Sequence, residues 1–144
     1  MSNISILGHV LDLEFLHPYF EALRNHDVFE IGPGYNPVTS HYPCRTYQTA
    51  TGERDNDGLS VLRTKSDSSL VVVSFGVFDD DVLGGRHDEM CERYGQVLGR
   101  EIKRVMNPFA IIIGRDARKY IGKADVRFAG LGGVYFRKQS LSAR

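Results

Sequence analysis

Glu30, Gly32 and Gly34 fall at alternate positions behind a short apolar run, within the stretch HDVFEIGPGYNPV from His26 to Val38. A glycine at the end of a strand takes backbone angles that a Cβ forbids, and it lets a ligand come close to the main chain. An ionised Glu30 is an acceptor only, so it selects a cation, an ammonium or a hydroxyl and repels phosphate. The G-x-G-x-x-G spacing of a dinucleotide site is not completed, because Pro37 stands where the third glycine would fall. The chemistry that fits is a nucleoside without phosphate that carries a positive or amino-acid-like portion. Tyr35 and Asn36 come directly after the turn and are the polar side chains placed to touch such a ligand. The bland reading of the same glycines is a plain strand-to-loop turn.

Other reactive side chains form looser groups. Asp79, Asp80 and Asp81 follow the apolar run SLVVVSFGVF; a run of like charges usually faces water or starts a helix, and as a site it offers general bases. His87 and Cys91 are four residues apart, on one face if the segment is helical, but the further ligands zinc needs are not nearby, so no metal site is expected. Neither a Gly-x-Ser-x-Gly elbow nor a P-loop occurs. The two cysteines, Cys44 and Cys91, read as free thiols, as in a cytoplasmic protein.

The elements that must position these groups are legible from pattern. Leu11 to Arg24 carries a helical apolar stripe that Pro18 interrupts, which predicts a short helix starting at Pro18. DVFEI and CRTYQT read as strands, and LSVLRT as a further, weaker one. SLVVVSFGVF and FAIIIG are apolar throughout, as burial on both faces of a parallel sheet requires. Between them Met90, Tyr94, Val97, Leu98, Ile102, Val105 and Met106 recur at three- and four-residue steps, which predicts a long amphipathic helix ended by Asn107-Pro108. RDARKYIGK reads as a turn or two of helix, and VRFAGLGGVYFRK as a closing hairpin. The sum is an α/β domain over residues 1–144, with a mostly parallel sheet and an antiparallel carboxyl-terminal hairpin.

Such a chain of 144 residues suits one domain. No apolar run reaches the roughly 20 residues of a membrane span, and the amino-terminal segment, with Asp12 and Glu14, does not read as a secretory signal. Net charge is zero but unevenly placed: residues 1–114 hold 10 Lys/Arg and 16 Asp/Glu, residues 115–144 hold 8 and 2. The basic end suits an anionic substrate or nucleic acid, or else faces water and pairs with the acidic body.

In three segments the chain resembles the class I S-adenosylmethionine-dependent methyltransferases. Glu30-Ile31-Gly32-Pro33-Gly34 matches the family's E/D-x-G-x-G turn after strand one. SLVVVSFGVF looks like its fourth strand, and LGREIKRVMNPFAIIIGRD like the helix and fifth strand that follow. The likeness covers most of residues 26–116, and the short gap between the first and fourth strands is similar to the abbreviated members. It implies a Rossmann-like sheet, S-adenosyl-L-methionine as cofactor and methyl transfer to an acceptor the chain does not specify. Glu30, Gly32 and Gly34 would then line the methionine and ribose side, and Ser74, Phe75 and Gly76 the fourth-strand end that meets cofactor and substrate.

The pattern also departs from the family. The ribose-binding acid at the end of strand two falls near Gln48 or Thr49, of which Gln48 can bond one hydroxyl, with Glu53 the nearest carboxylate. DGL at Asp57 to Leu59 only approximates the family's Asp-Leu near adenine, Asp79–Asp81 replace an acid-histidine pair, and Phe109 replaces a glycine after Pro108. Methyl transfer needs alignment more than a base. If the acceptor must lose a proton, Asp79 and Asp80 are the first candidates and His87 the next. The competing expectations are a catalytically degenerate binding protein on the same fold and, further off, a small nucleoside-processing hydrolase or lyase.

Overall fold

The computed structural model describes residues 3–6, 9–12, 17–32, 42–50, 58–65, 70–75, 78, 89–128 and 132–138. Two short strands open the chain, β1 (Asn3–Ile6) and β2 (His9–Asp12), paired antiparallel as a small sheet of their own. Helix α1 (His17–Ala22) follows and tightens into a 3-10 turn at Leu23–Asn25. Pro18 sits in its first turn, where the missing N–H has no helical partner to lose, so the predicted short helix forms there.

Six strands make the main sheet. In chain order they are β3 (Asp27–Ile31), β4 (Thr46–Ala50), β5 (Leu70–Phe75), β6 (Met106–Ile113), β7 (Val126–Arg127) and β8 (Gly132–Phe136). In space the order is β4-β3-β5-β6-β8-β7. The β4, β3, β5 and β6 strands run parallel, while β8 is antiparallel to both β6 and β7. This is a mixed α/β sheet, mostly parallel, closed by an antiparallel pair as the sequence predicts.

Side-chain alternation divides the core into two layers. Phe29, Ile31, Val72, Ala110 and Ile112 point to one face and meet helices α2 (Gly58–Arg63), α3 (Glu89–Val105) and α4 (Ala117–Ile121). Val28, Val73, Ile111, Ile113 and Val134 point to the other face, under Phe20, Leu23 and Tyr42. Both central strands are covered on both sides, which is why their sequences carry no polar alternation.

Helix α3 buries Leu98, Ile102 and Val105 and exposes Arg93, Arg100, Lys103 and Arg104. Gly95 and Gly99 let it approach α4 closely, since a Cβ on Gly99 would stand 2.5 Å from the Tyr120 carbonyl oxygen.

Two expectations are corrected. LSVLRT is the body of α2 and not a strand, because Leu59 and Leu62, three residues apart, are both buried against the α3 side of the sheet. The long helix ends at Val105, and Asn107-Pro108 lies inside β6. There the β5–β6 register passes from Leu70↔Met106 to Val72↔Ala110, a bulge in which a proline without an N–H costs the ladder nothing.

Candidate functional site

The strand order defines one special place. From β3 the chain moves outward to β4 and then returns past β3 to β5, so the direction of winding reverses between β3 and β5. In open α/β sheets such a switch point leaves a crevice at the carboxyl ends of the strands, where ligands bind. Ile31 of β3 pairs with Ser74 of β5, so the ends that carry Glu30, Gly32 and Ser74 are adjacent.

Glu30 is buried, with 2% of its surface exposed, one residue before the end of β3. The Tyr47 hydroxyl donates to Glu30 Oε1 at 3.2 Å. The register explains that bond: Tyr47 of β4 lies opposite Val28, on the same face as Glu30 and one pleat lower. Tyr47 is also the one large hydrophobic residue exposed among the described residues, so the rim of the sheet has an aromatic wall beside its carboxylate.

Gly32 has φ of 67°, the left-handed region that glycine tolerates best. Its N–H donates to the Ala50 carbonyl at 2.7 Å. That bond extends the β3–β4 ladder by one rung, and the positive φ departs from strand geometry just after β3 ends.

Ser74 is fully buried, and its Oγ has no hydrogen-bond partner among the described residues. A buried hydroxyl left unpaired costs about 1–3 kcal/mol. It points to the face opposite Glu30, because Ser74 shares its pleat with Ile31 and Val72 while Glu30 shares its own with Val28 and Val73. The two polar groups therefore bracket the rim from its two faces and do not touch across one surface. Phe75 is the last residue of β5.

Gln48 lies opposite Phe29, two pairs short of the strand end at Ala50. Lys65 Nζ donates to its Oε1 at 3.1 Å. The Gln48 amide is thus already engaged by a cation. Gly34, Tyr35, Asn36, Gly76, Asp79, Asp80 and His87 lie outside the described residues. Phe78, between two of those segments, is fully buried and packs 5.8 Å from the Tyr120 ring.

Two neighbouring groups are chemically quiet. Burial first, and then the charges of Asp27 and Glu30, push the Cys44 thiol up from its usual range, so it is a neutral thiol beside the core. Asp27, at the amino end of β3, accepts from Arg45 Nε at 2.9 Å and from Thr46 Oγ1 at 2.7 Å. Those bonds, the Arg45 one first, bring its carboxyl down to about 2. Asp27 holds β3 to β4 at the end away from the rim.

The sequence carried no direct sign of Tyr47 as Glu30's partner. The alternation of the Thr/Tyr-rich strand puts Tyr47 and Thr49 on one face, and only the pairing with β3 shows which residue that face meets. Among the described residues no group of three or more His, Cys, Asp or Glu side chains gathers to hold a metal, and no helix is long and apolar enough to cross a membrane. No protein-family model, curated protein or solved structure matches the chain.

Proposed function

We propose that the protein is a small, Rossmann-like S-adenosylmethionine-dependent methyltransferase whose cofactor lodges at the carboxyl rim of β3 and β5. The observation that carries the reading is the coincidence of the E-x-G turn with the topological switch point, beside a fully buried hydroxyl with no partner among the described residues. An orphaned polar atom near the end of β5 fits a ligand that brings its own hydrogen-bonding groups.

The residues present suit such a guest. Glu30 is an acceptor for an ammonium or a hydroxyl, Gly32 brings no side chain to the approach, and the Ser74 hydroxyl both donates and accepts. Gly34, Tyr35, Asn36, Phe75 and Gly76 complete the set by their position in the sequence. The cofactor, when bound, supplies an electrophilic methyl group on a sulfonium. The chain's own work is to bind, orient and exclude water. For an acceptor that must lose a proton, Asp79 and Asp80 are the bases to test.

A second reading rests on Gln48. With its amide held by Lys65, the place where the family carries a ribose-binding carboxylate presents a neutral group and a nearby cation. That favours a binding protein in which turnover has been lost.

Titration calorimetry with S-adenosylmethionine and S-adenosylhomocysteine tests both readings. Heat with either ligand, weakened at least tenfold by Glu30→Gln, is the outcome we expect. Absence of heat at millimolar ligand removes the cofactor claim. Binding without methyl transfer to any protein, nucleic acid or small-molecule fraction selects the second reading.

A further inference from the structure

By the β8–β7 edge of the sheet lies a cleft of about 400 Å³ between the ends of α3 and α4 and the start of the tail after β8. Its lining includes Lys103, Arg104, Lys123, Arg137 and Lys138, against a single acid, Asp125. A smaller hollow of about 40 Å³ adjoins it, shares Gly122, Lys123 and Tyr135 with it, and adds Arg118 and Arg127. The buried Tyr135 forms a common floor, its hydroxyl donating to the Gly122 carbonyl at 2.8 Å.

These cations divide into those with a structural task and those without one. Arg104 donates to the Leu62 and Lys65 carbonyls at 2.9 and 2.7 Å and pairs with Glu101. Arg137 donates to the Arg104 and Met106 carbonyls at 3.0 and 3.3 Å, satisfying the end of α3. Lys138 is 2.6 Å from Asp125, which also accepts from the Phe136 N–H at 2.8 Å. Arg104, Arg137 and Lys138 are therefore already engaged, by main-chain carbonyls and by the one acid of the cleft.

Lys103, Arg118, Lys123 and Arg127 are left. All four are exposed, and none has a side-chain partner among the described residues. The Lys103 ammonium lies 3.7 Å from where a Cβ on Gly122 would be, above the residue common to both hollows. Lys103 lines the large hollow, Arg118 and Arg127 the small one, and Lys123 both. Four unpaired cations around one concave strip of surface repel one another mildly and focus a positive field that concentrates an anion with spaced charges.

We propose that this strip binds the phosphate backbone of a nucleic acid, independently of base sequence. An acidic protein partner is the poorer fit, because protein interfaces take their energy from exposed aromatic and apolar anchors, and the two aromatic residues of the large hollow, Tyr135 and Phe136, are buried and half-buried. The same lack of an exposed ring argues for backbone contacts without base stacking. The strip lies by the β8–β7 edge of the sheet, with β5 and β6 between it and the strand that carries Glu30, so it stands apart from the cofactor reading.

The test is fluorescence anisotropy of the full chain with a labelled, mixed-sequence single-stranded oligonucleotide at a series of salt concentrations. Four phosphate contacts give a log–log salt slope of about −3 and about 50-fold weaker binding for a fourfold rise in salt. The combined variant K103Q/R118Q/K123Q/R127Q should lose more than about tenfold in affinity at low salt and flatten the slope. Its melting temperature should hold, because these side chains are exposed and unpaired. Lys103→Arg with Lys123→Arg should bind as the parent does. Absence of oligonucleotide binding, a flat salt dependence, or an unaffected combined variant overturns the proposal. So does equal binding of polyglutamate or of phosphatidylserine vesicles, which would assign the strip to an acidic protein or a lipid surface.

Discussion

Two regions of the sheet solve opposite problems. Among the described residues the carboxyl rim of β3 and β5 carries Glu30 and Ser74, both buried, and Ser74 Oγ has no partner among them. The basic strip carries four exposed cations beside Arg104, Arg137 and Lys138, which hold helix-end carbonyls and Asp125. Polarity taken out of water must be answered by specific partners, whereas exposed charge acts at a distance and needs only number and spacing. The rim is therefore suited to a small guest with its own donors and acceptors, and the strip to an extended polyanion.

Deleting shared support should disturb both regions together. Phe29 is fully buried in β3 beneath the rim, within the same core that α3 and α4 cover. Phe29→Ala should cost about 3–5 kcal/mol in urea denaturation. If either binding activity survived while the fold was lost, the two regions would not share one core.

Perturbing the rim alone should have smaller consequences. Gly32→Ala forces a side chain into a left-handed backbone, at about 1–2 kcal/mol of stability, and should weaken S-adenosylhomocysteine while leaving oligonucleotide binding intact. Ser74→Ala should move the other way: removal of the unpaired hydroxyl stabilises the free protein by about 1 kcal/mol and weakens the adenosyl ligand. A destabilised Ser74→Ala protein would show that the hydroxyl already has a partner.

The smallest effect is a dependence on pH. The folded Asp27 carboxyl, brought to about 2 from an ordinary 3.8 by Arg45 and Thr46, contributes stability that is present above pH 4 and lost as pH falls towards 2. Asp27→Asn should flatten the melting temperature over that window and alter neither binding activity. An unchanged slope between pH 4 and pH 2 would show that the exposed Asp27–Arg45 pair contributes nothing.

Why some of this was legible in the sequence and some not follows from range. The apolar runs of β5 and β6, the helical stripe of α3, Pro18 and the glycine-centred hairpin are local signals, and each marks an element that forms, although the junction of α3 and β6 falls at Val105–Met106 and not at Asn107-Pro108. LSVLRT carried both periods, Leu59 with Val61 for a strand and Leu59 with Leu62 for a helix, and contact with the α3 layer decided between them. The β1–β2 pair went unread because Leu11 was assigned to the helical stripe, although Gly8 between NISI and HVLD is a turn signal. At the site, Glu30, Gly32 and Ser74 were picked out by type and spacing. Tyr47, the engagement of Gln48 by Lys65, and the fact that Glu30 and Ser74 face opposite sides all depend on strand register, which no local pattern encodes.

On these proposals two different ligands occupy two different places on one sheet. The most direct measurement is an amide chemical-shift map of the labelled protein, titrated first with S-adenosylhomocysteine and separately with the oligonucleotide. The first ligand should move the amides of Glu30, Gly32 and Ser74 and leave Lys103, Gly122 and Lys123 in place, and the second should do the reverse. Shifts from S-adenosylhomocysteine confined to the basic end, or none anywhere, would contradict it.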